Sequence, residues 1–423
     1  MSATIRAEVL TIGDEILFGQ ITDTNTQWIG TQLTDIGIRP IRKTSVGDNR
    51  QHILDALQEA SQRVDVVIIT GGLGPTRDDI TKHTLCAYFG TSLEINQDAL
   101  ALVTSFFEKR GRAMTDLNIQ QAALPLNATY VPNLWGTAPG MWFDHENVVY
   151  VSLPGVPYEM KNLMEFEILP RLKARFATPV IIHKSVRTIG IGESFLAETI
   201  AAWESALPEH IKLAYLPHFG QVRLRLTGTS PDEVVLRQEL QAQVDLLVPQ
   251  IEEYIFGYDG DDLETVVGTL LLQAGATLGT AESCTGGFVA HQITAVPGSS
   301  AYFEGSVVSY SNRIKTTVLG VSAQILEQYG AVSEQTAREM AEGARRVLNT
   351  TYAIATTGIA GPTGGTPEKP VGTVWIACAT PDETFTQLLT LRNNRKINIE
   401  LTSSYALNLL RKTILKTNLA VKD

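Results

Sequence analysis

The sequence predicts an α/β protein, with two α/β domains joined by a small α+β module, and three observations predict it. Short apolar runs alternate with amphipathic runs in the first and last thirds of the chain, the order that builds sheets flanked by helices. Glycine-rich tracts follow directly on apolar runs, where an open α/β sheet presents its ligand loops. The chain has 423 residues, 44% hydrophobic and 19% charged, enough for two to four domains of about 100–200 residues each.

In chain order, Ala7–Ile12 reads as a strand, Thr26–Leu33 as a helix, Ile38–Val46 as a strand, Ile53–Ala60 as a helix and Val64–Thr70 as a buried strand. This alternation predicts a parallel sheet with helices on both faces. A helix over Ile80–Phe89, a strand over Val148–Leu153 and a helix from Glu159 complete the first domain, residues 1–172. Residues 173–260 form the connecting module. It has strands over Ile181–Thr188 and Val222–Thr227, the latter with alternating Arg223 and Arg225, and helices over Ser194–Trp203 and Asp232–Val248. The turn-forming tract Gly257-Tyr258-Asp259-Gly260-Asp261-Asp262 marks a boundary. In the third domain, residues 261–423, helices are expected over Val266–Leu272, from Gly287, after the capping Ser333, and over Glu400–Leu410. Strands are expected over Thr277–Thr280, Tyr352–Thr356 and Val371–Ala379.

Composition excludes several classes. A net charge of -11, from 34 Lys and Arg against 45 Asp and Glu, lacks the basic footprint that neutralises nucleic-acid phosphates. The three cysteines, Cys86, Cys284 and Cys378, are too few and too dispersed for a disulfide framework or a cysteine zinc site. The seven histidines show no H-x-x-x-H pair. With no basic start leading into an apolar stretch and no run of about 18 apolar residues, a soluble cytoplasmic protein is expected, with no membrane partner.

Five segments carry chemistry. Ala281-Glu282-Ser283-Cys284-Thr285-Gly286-Gly287 sits between a strand and a helix. A serine at such a turn is exposed, and the following glycines let N–H groups face a carbonyl oxygen or a phosphate; a plain helix cap has the same pattern. Lys315, closing Ser309-Tyr310-Ser311-Asn312-Arg313-Ile314-Lys315, is either a solvated lysine or, with its pKa lowered by burial, a base for Ser283. His291 reads as a packing residue. Thr357-Gly358-Ile359-Ala360-Gly361-Pro362-Thr363-Gly364-Gly365 follows a strand and is either a phosphate cradle or a structural loop. It lacks the G-K-[ST] and G-x-G-x-x-G patterns. The first domain has two acidic loops, Gly13-Asp14-Glu15 and Gly71-Gly72-Leu73-Gly74-Pro75-Thr76-Arg77-Asp78-Asp79. Gly71, Gly72 and Gly74, with Thr76 beside them, offer donors to phosphate oxygens. Asp14, Glu15, Asp78 and Asp79 offer carboxylates to a hard cation, or Asp78 or Asp79 caps the next helix.

These segments, with Leu153-Pro154-Gly155-Val156-Pro157 and Gly190-Ile191-Gly192-Glu193-Ser194, resemble in sequence and order the bacterial competence/damage-inducible CinA family, over essentially the whole chain. The resemblance implies a molybdopterin-binding-like first domain with metal-dependent ADP-ribose pyrophosphatase activity, a KH-like middle domain and a C-terminal nicotinamide mononucleotide deamidase. Both activities would salvage products of NAD breakdown. It places the nucleophile on Ser283, the lysine on Lys315 with Tyr310 beside it, a strand-end threonine on Thr357 and a substrate-binding arginine on Arg395. Many members have Gly-Asp before that arginine, where this chain has Asn393-Asn394. The deamidase chemistry would use Gly286 and Gly287 as oxyanion donors and Gly358 and Gly361 in the substrate loop. A divalent metal is expected for the first domain and no cofactor for the third. The middle module lacks a G-x-x-G loop, so a structural or dimer-forming role is expected rather than RNA binding, with the chain a homodimer acting on small nucleotides. Two other readings stay open: a molybdopterin-handling transferase and a non-catalytic competence partner.

Overall fold

The structure is a computed structural model and describes residues 5–76, 79–391 and 394–420. The chain divides into two compact units, Met1–Ile182 with Thr229–Leu236, and His183–Gly228 with Arg237–Asp423.

The first unit holds β1 (Arg6–Ile12), β2 (Arg39–Val46), β3 (Val66–Thr70), β4 (Leu93–Ile95), β5 (Ala123–Pro125), β6 (Thr129–Val131), β7 (Gly140–His145) and β8 (Val148–Leu153). Six of them form one sheet in the order β2-β1-β3-β8-β7-β6, and β4 pairs with β5. The interior strands, the wholly β-branched β3 and the Val-rich β8, are buried at every residue, as strands covered on both faces must be. At the sheet edge, β2 carries Pro40 and mostly exposed or half-buried side chains. Successive residues of β1 face opposite ways. Val9 packs with Ile29, Leu33 and Leu163 on one face, while Leu10 packs with Leu57, Leu85 and Tyr150 on the other.

The parallel sheet expected from the strand and helix alternation holds for β2, β1, β3 and β8. It does not hold for β7 and β6, which run antiparallel. The cause is local: Glu146 and Asn147, both at positive φ (49° and 67°), make a two-residue turn whose twist suits a hairpin between His145 and Val148.

The connecting module has β9 (Val180–Ile189), β10 (Ile211–His218), β11 (Gln221–Ser230) and β12 (Ile255–Tyr258) in the sheet order β10-β11-β9-β12. Its helices are Glu193–Ser205 and Glu233–Ile251. Along β11, Val222, Leu224 and Leu226 are buried and Arg223 is exposed, the alternation expected of a sheet with one packed face.

The C-terminal part has β13 (Leu278–Glu282), β14 (Phe303–Val308), β15 (Tyr352–Gly358), β16 (Thr373–Ala379) and β17 (Thr384–Thr390) in the order β14-β13-β15-β16-β17. The first three strands are parallel, and β16 and β17 extend the sheet antiparallel. The helix Glu334–Leu348 packs Ala337, Met340 and Ala344 on one face. The helices Leu263–Ala274 and Arg395–Ala420 cover the other. Ser333 caps Glu334–Leu348 by accepting from the Thr336 amide. The closing helix is far longer than the expected Glu400–Leu410. Its buried polar residues, among them Asn398, Thr402, Asn408 and Arg411, break the apolar periodicity that sequence reading relies on. Among the described residues, no helix is long and apolar enough to cross a membrane.

Candidate functional site

Three chain segments bring the C-terminal site together. The loop after β13 carries Ser283, whose amide donates to the Thr356 carbonyl at 2.9 Å and so ties the turn to the end of β15. The short helix Asn312–Thr317, capped by Ser311, carries Lys315. The start of the closing helix carries Arg395. A cavity of about 210 Å³ is lined by Ser283, Tyr310, Lys315, Thr357, Gly358 and Arg395, among others.

Lys315 is 1% exposed, which rules out the solvated alternative. Its Nζ donates to Ser283 Oγ at 2.9 Å and to the Ser309 carbonyl at 2.7 Å. Burial lowers its pKa from 10.5 to about 8, because a low-dielectric site disfavours the ammonium. The neighbouring Cys284 thiol is pushed the other way, up to about 12, by the same burial. At neutral pH the amine beside Ser283 can therefore lose its proton far more readily than a surface lysine, and the thiol cannot ionise. Arg395 donates through Nη1 to the Gly361 carbonyl at 2.9 Å and through Nη2 to Tyr310 Oη at 3.3 Å. Thr357 Oγ1 donates to the Ala331 carbonyl at 2.6 Å. A Cβ on Gly358 would lie 2.5 Å from a methyl of Val374, so this position is kept small by close packing with β16.

Two expectations change. Gly286 and Gly287 were to supply oxyanion donors, but the Gly287 amide donates to Glu282 Oε2 at 2.9 Å and the Gly286 amide to the Ser283 carbonyl at 3.3 Å. Both donors are spent inside the turn, and the glycines border a neighbouring groove instead. His291, expected to pack in the interior, is exposed on the helix Phe288–Thr294, with its ring 6.2 Å from that of Phe288.

In the first unit, the loops after β1, β3 and β8 converge on a cavity of about 410 Å³. Gly71, Gly72, Gly74, Glu15 and Asp79 border it. Gly71 has φ of +111°, and a Cβ there would lie 2.1 Å from the Ile12 carbonyl oxygen, so only glycine lets β3 turn this close to β1. Thr76 lies against a smaller adjoining cavity, and Asp14 pairs with the Gly47-Asp48 turn through the Asp48 amide. Asp78 lies outside the described residues. Asp79 does not cap the helix Thr81–Phe89, whose N-cap is Ile80. Its Oδ1 accepts from the Gly74 amide at 2.8 Å, and its Oδ2 from the Thr76 amide at 2.9 Å and the Thr76 hydroxyl at 2.5 Å. The carboxylate thus braces the glycine loop.

Among the described residues, no three His, Cys, Asp or Glu side chains gather into a cation cage. Glu15, Asp48 and Asp79 are among the carboxylates bordering the cavity of the first unit. That donor set fits a hard cation of the magnesium type, which takes one or two carboxylates and completes its shell with water and substrate phosphates.

Comparison with known proteins gives the family. Residues 8–174 match the probable molybdopterin binding domain, residues 183–257 the damage-inducible protein CinA KH domain and residues 260–414 the CinA C-terminal domain. A CinA-like protein of Cytophaga hutchinsonii is 52% identical over 414 residues, covering 98% of this chain and 99% of its own. The chain belongs to the CinA family. A CinA-like protein of Flavobacterium psychrophilum is 49% identical over 97% of this chain and 99% of its own. Among solved structures, the competence/damage inducible protein CihA from Agrobacterium tumefaciens is 38% identical, covering 36% of this chain and 92% of its own, with a TM-score of 0.35.

Within this CinA-family chain, sequence reasoning overlooked four residues at the two sites. Asn25 Nδ2 donates to the Gly155 carbonyl at 2.8 Å and to Thr70 Oγ1 at 3.3 Å, joining the loop after β8 to the end of β3. Glu159, held above the usual carboxylate range by burial, accepts from Asn133 Nδ2 at 2.6 Å on the wall of the large cavity. Lys82 is buried and lowered to about 8 by desolvation, and donates to the Gln121 carbonyl at 2.6 Å. Glu282 is 1% exposed. The buried charge-bearing types carried the only sequence signal: Glu282 at the end of an apolar strand and Lys82 one residue into a helix after an acidic loop.

Proposed function

We propose that the C-terminal domain is a Ser–Lys amidohydrolase that converts nicotinamide mononucleotide to nicotinic acid mononucleotide and ammonia. The observation that carries this reading is the 2.9 Å contact between Lys315 Nζ and Ser283 Oγ, made by a lysine that burial has brought to about 8. With its proton lost, the lysine takes the Ser283 hydroxyl proton as Oγ attacks the carboxamide carbon. The tetrahedral oxyanion collapses, the C–N bond breaks, and Lys315 returns the proton to the leaving ammonia. Water, activated by the same amine, then cleaves the acyl ester to the carboxylic acid and frees Ser283. No redox change occurs, and the net co-reactant is one water. Arg395 borders the same cavity, and its planar guanidinium would pair with the 5′-phosphate. The nucleotide as substrate comes from the family resemblance. The test is ammonia release from nicotinamide mononucleotide by the full chain and by Ser283→Ala.

For the first domain we propose hydrolysis of ADP-ribose to AMP and ribose 5-phosphate with a divalent cation. Support comes from the convergence of the glycine loop with Glu15 and Asp79 at a cavity of about 410 Å³. The cation would be held by Glu15 and a further carboxylate from Asp14, Asp78 or Asp79, and would offset the charge of the pyrophosphate when bound. The match to a probable molybdopterin binding domain favours one competing reading, a pterin site. Following AMP release from ADP-ribose and, in parallel, pterin binding separates the two. A homodimer and the absence of any cofactor in the C-terminal domain complete the proposal.

A further inference from the structure

The buried carboxylate behind the nucleophile has no part in the Ser–Lys chemistry just described, yet it is among the most heavily hydrogen-bonded side chains of the site. Glu282 ends β13 and points into the turn that follows. Its Oε2 accepts from Thr285 Oγ1 at 2.7 Å, from the Gly287 amide at 2.9 Å and from the Val289 amide at 3.1 Å. Its Oε1 accepts from the Ala290 amide at 2.8 Å. Thr285 Oγ1 also lies 2.7 Å from Thr356 Oγ1, which links the turn to β15. Four donors therefore converge on one carboxylate from a stretch of six residues.

That convergence explains the two glycines. Gly286 and Gly287 have φ of +63° and +101°, left-handed values that let the chain double back so that the amides of 287, 289 and 290 point inward. Their service is conformational. With those amides committed, the N–H groups of Cys284 and Thr285 are left: they donate to no other residue among those described. Of the two, Cys284 follows Ser283 directly and borders the same cavity, where a carbonyl attacked by its Oγ would place its developing oxyanion, while Thr285 borders the neighbouring groove.

We infer that Glu282 is a positioning residue of the C-terminal site: it clamps the 283–290 turn so that the amide of Cys284, and not those of Gly286 and Gly287, receives the oxyanion formed on Ser283. This rests on the Ser–Lys reading and adds the donor set and the group that orients it. Glu282 touches neither Lys315 nor the substrate cavity, so its replacement acts on the turn alone.

The experiment uses the full chain with nicotinamide mononucleotide, measuring kcat, KM and thermal midpoint for Glu282→Gln, Thr285→Val, Thr285→Ser and Ser283→Ala. Glu282→Gln puts an amide nitrogen where an N–H donor needs an acceptor. A misplacement of that kind costs about 10²-fold in rate, so kcat should fall by about that factor with KM within about twofold and the acid limb of the pH profile still near 8. Thr285→Val should lower kcat in the same direction, and Thr285→Ser, which keeps the hydroxyl, should restore it. If Glu282→Gln fails to fold, the two Thr285 variants decide the matter on their own. A folded Glu282→Gln, or Thr285→Val, with wild-type kcat and only a lowered thermal midpoint would overturn the inference, and so would a loss confined to KM. Activity surviving in Ser283→Ala would instead bring down the Ser–Lys reading itself, and this inference with it.

Discussion

Replacing Lys315 by methionine keeps the length of the side chain and removes the amine, which separates its chemical role from its place in the core. In the wild type the folded-state pKa is lowered from 10.5 to about 8, chiefly by desolvation. Between those two values the unfolded chain binds more protons than the folded one, so wild-type stability rises as pH climbs from about 8 to 10.5. At pH 7 nearly the whole penalty for burying the charge is present, about 3 kcal/mol. Methionine removes that penalty together with the hydrogen bonds to Ser283 and Ser309, each worth about 1.5–3 kcal/mol when one partner is charged. Together the lost bonds, about 3–6 kcal/mol, match or exceed the removed penalty, so at pH 7 the variant should be no more stable than the wild type, and the wild type should gain further as pH rises toward 10. Activity behaves otherwise. Only about a tenth of the amine is neutral at pH 7, so kcat/KM should rise about tenfold per pH unit below 8 and level off above it. Lys315→Met should lose about 10²–10⁴ in turnover at every pH. Ammonia release assayed from pH 6 to 9.5, with thermal melts over the same range, checks both arms. A flat kcat/KM profile through pH 8, or a methionine variant within tenfold of wild type, would refute the reasoning.

Four further outcomes follow from the two sites. Cys284→Ala should retain turnover and Ser283→Ala should lose it with the fold unchanged, because the thiol is pushed up to about 12 by burial; ammonia release and circular dichroism decide. Arg395→Lys should raise KM for nicotinamide mononucleotide by about tenfold while leaving KM for the dephosphorylated nucleoside near wild type, since an ammonium cannot match a bidentate guanidinium contact; equal effects would move Arg395 to the ribose or the base. Asp79→Asn should weaken ADP-ribose hydrolysis and lower the thermal midpoint together, because the carboxylate braces Gly74 and Thr76; Glu15→Gln, with no such role, should lose activity with an unchanged midpoint. Chelation by EDTA should stop AMP release and leave ammonia release from the same full chain unaffected.

The interior strands and the contact between Ser283 and Lys315 were legible in the sequence, for identifiable reasons. β1, β3 and β8 are buried on both faces, so their runs are dominated by apolar residues, with Glu8 of β1, paired to Arg63, a charged exception. Ser283 and Lys315 stand out because each closes a recognisable strand-to-helix passage. What escaped was polar and buried. The closing helix runs from Arg395 to Ala420, yet Asn398, Thr402, Asn408 and Arg411 lie on its packed side. Asp79 looks in sequence like a helix cap or a metal ligand, and only the folded loop shows that its oxygens brace Gly74 and Thr76 rather than the helix. Gly286 and Gly287 look like donors, because sequence does not reveal that the Glu282 carboxylate claims the Gly287 amide and the Ser283 carbonyl the Gly286 amide. The antiparallel edge of the first sheet hinged on one Glu146-Asn147 turn with positive φ, a conformation that Asn signals weakly and Glu not at all.

The central claim, a covalent route through Ser283 assisted by Lys315, is tested most directly by rapid acid quenching of the full chain during turnover of nicotinamide mononucleotide, followed by peptide mass analysis. The account predicts an acyl adduct of the nucleotide, formed with loss of ammonia, on the peptide containing Ser283, and its disappearance together with ammonia release in Ser283→Ala. Sustained ammonia release by Ser283→Ala, or an adduct on a different residue, would contradict it.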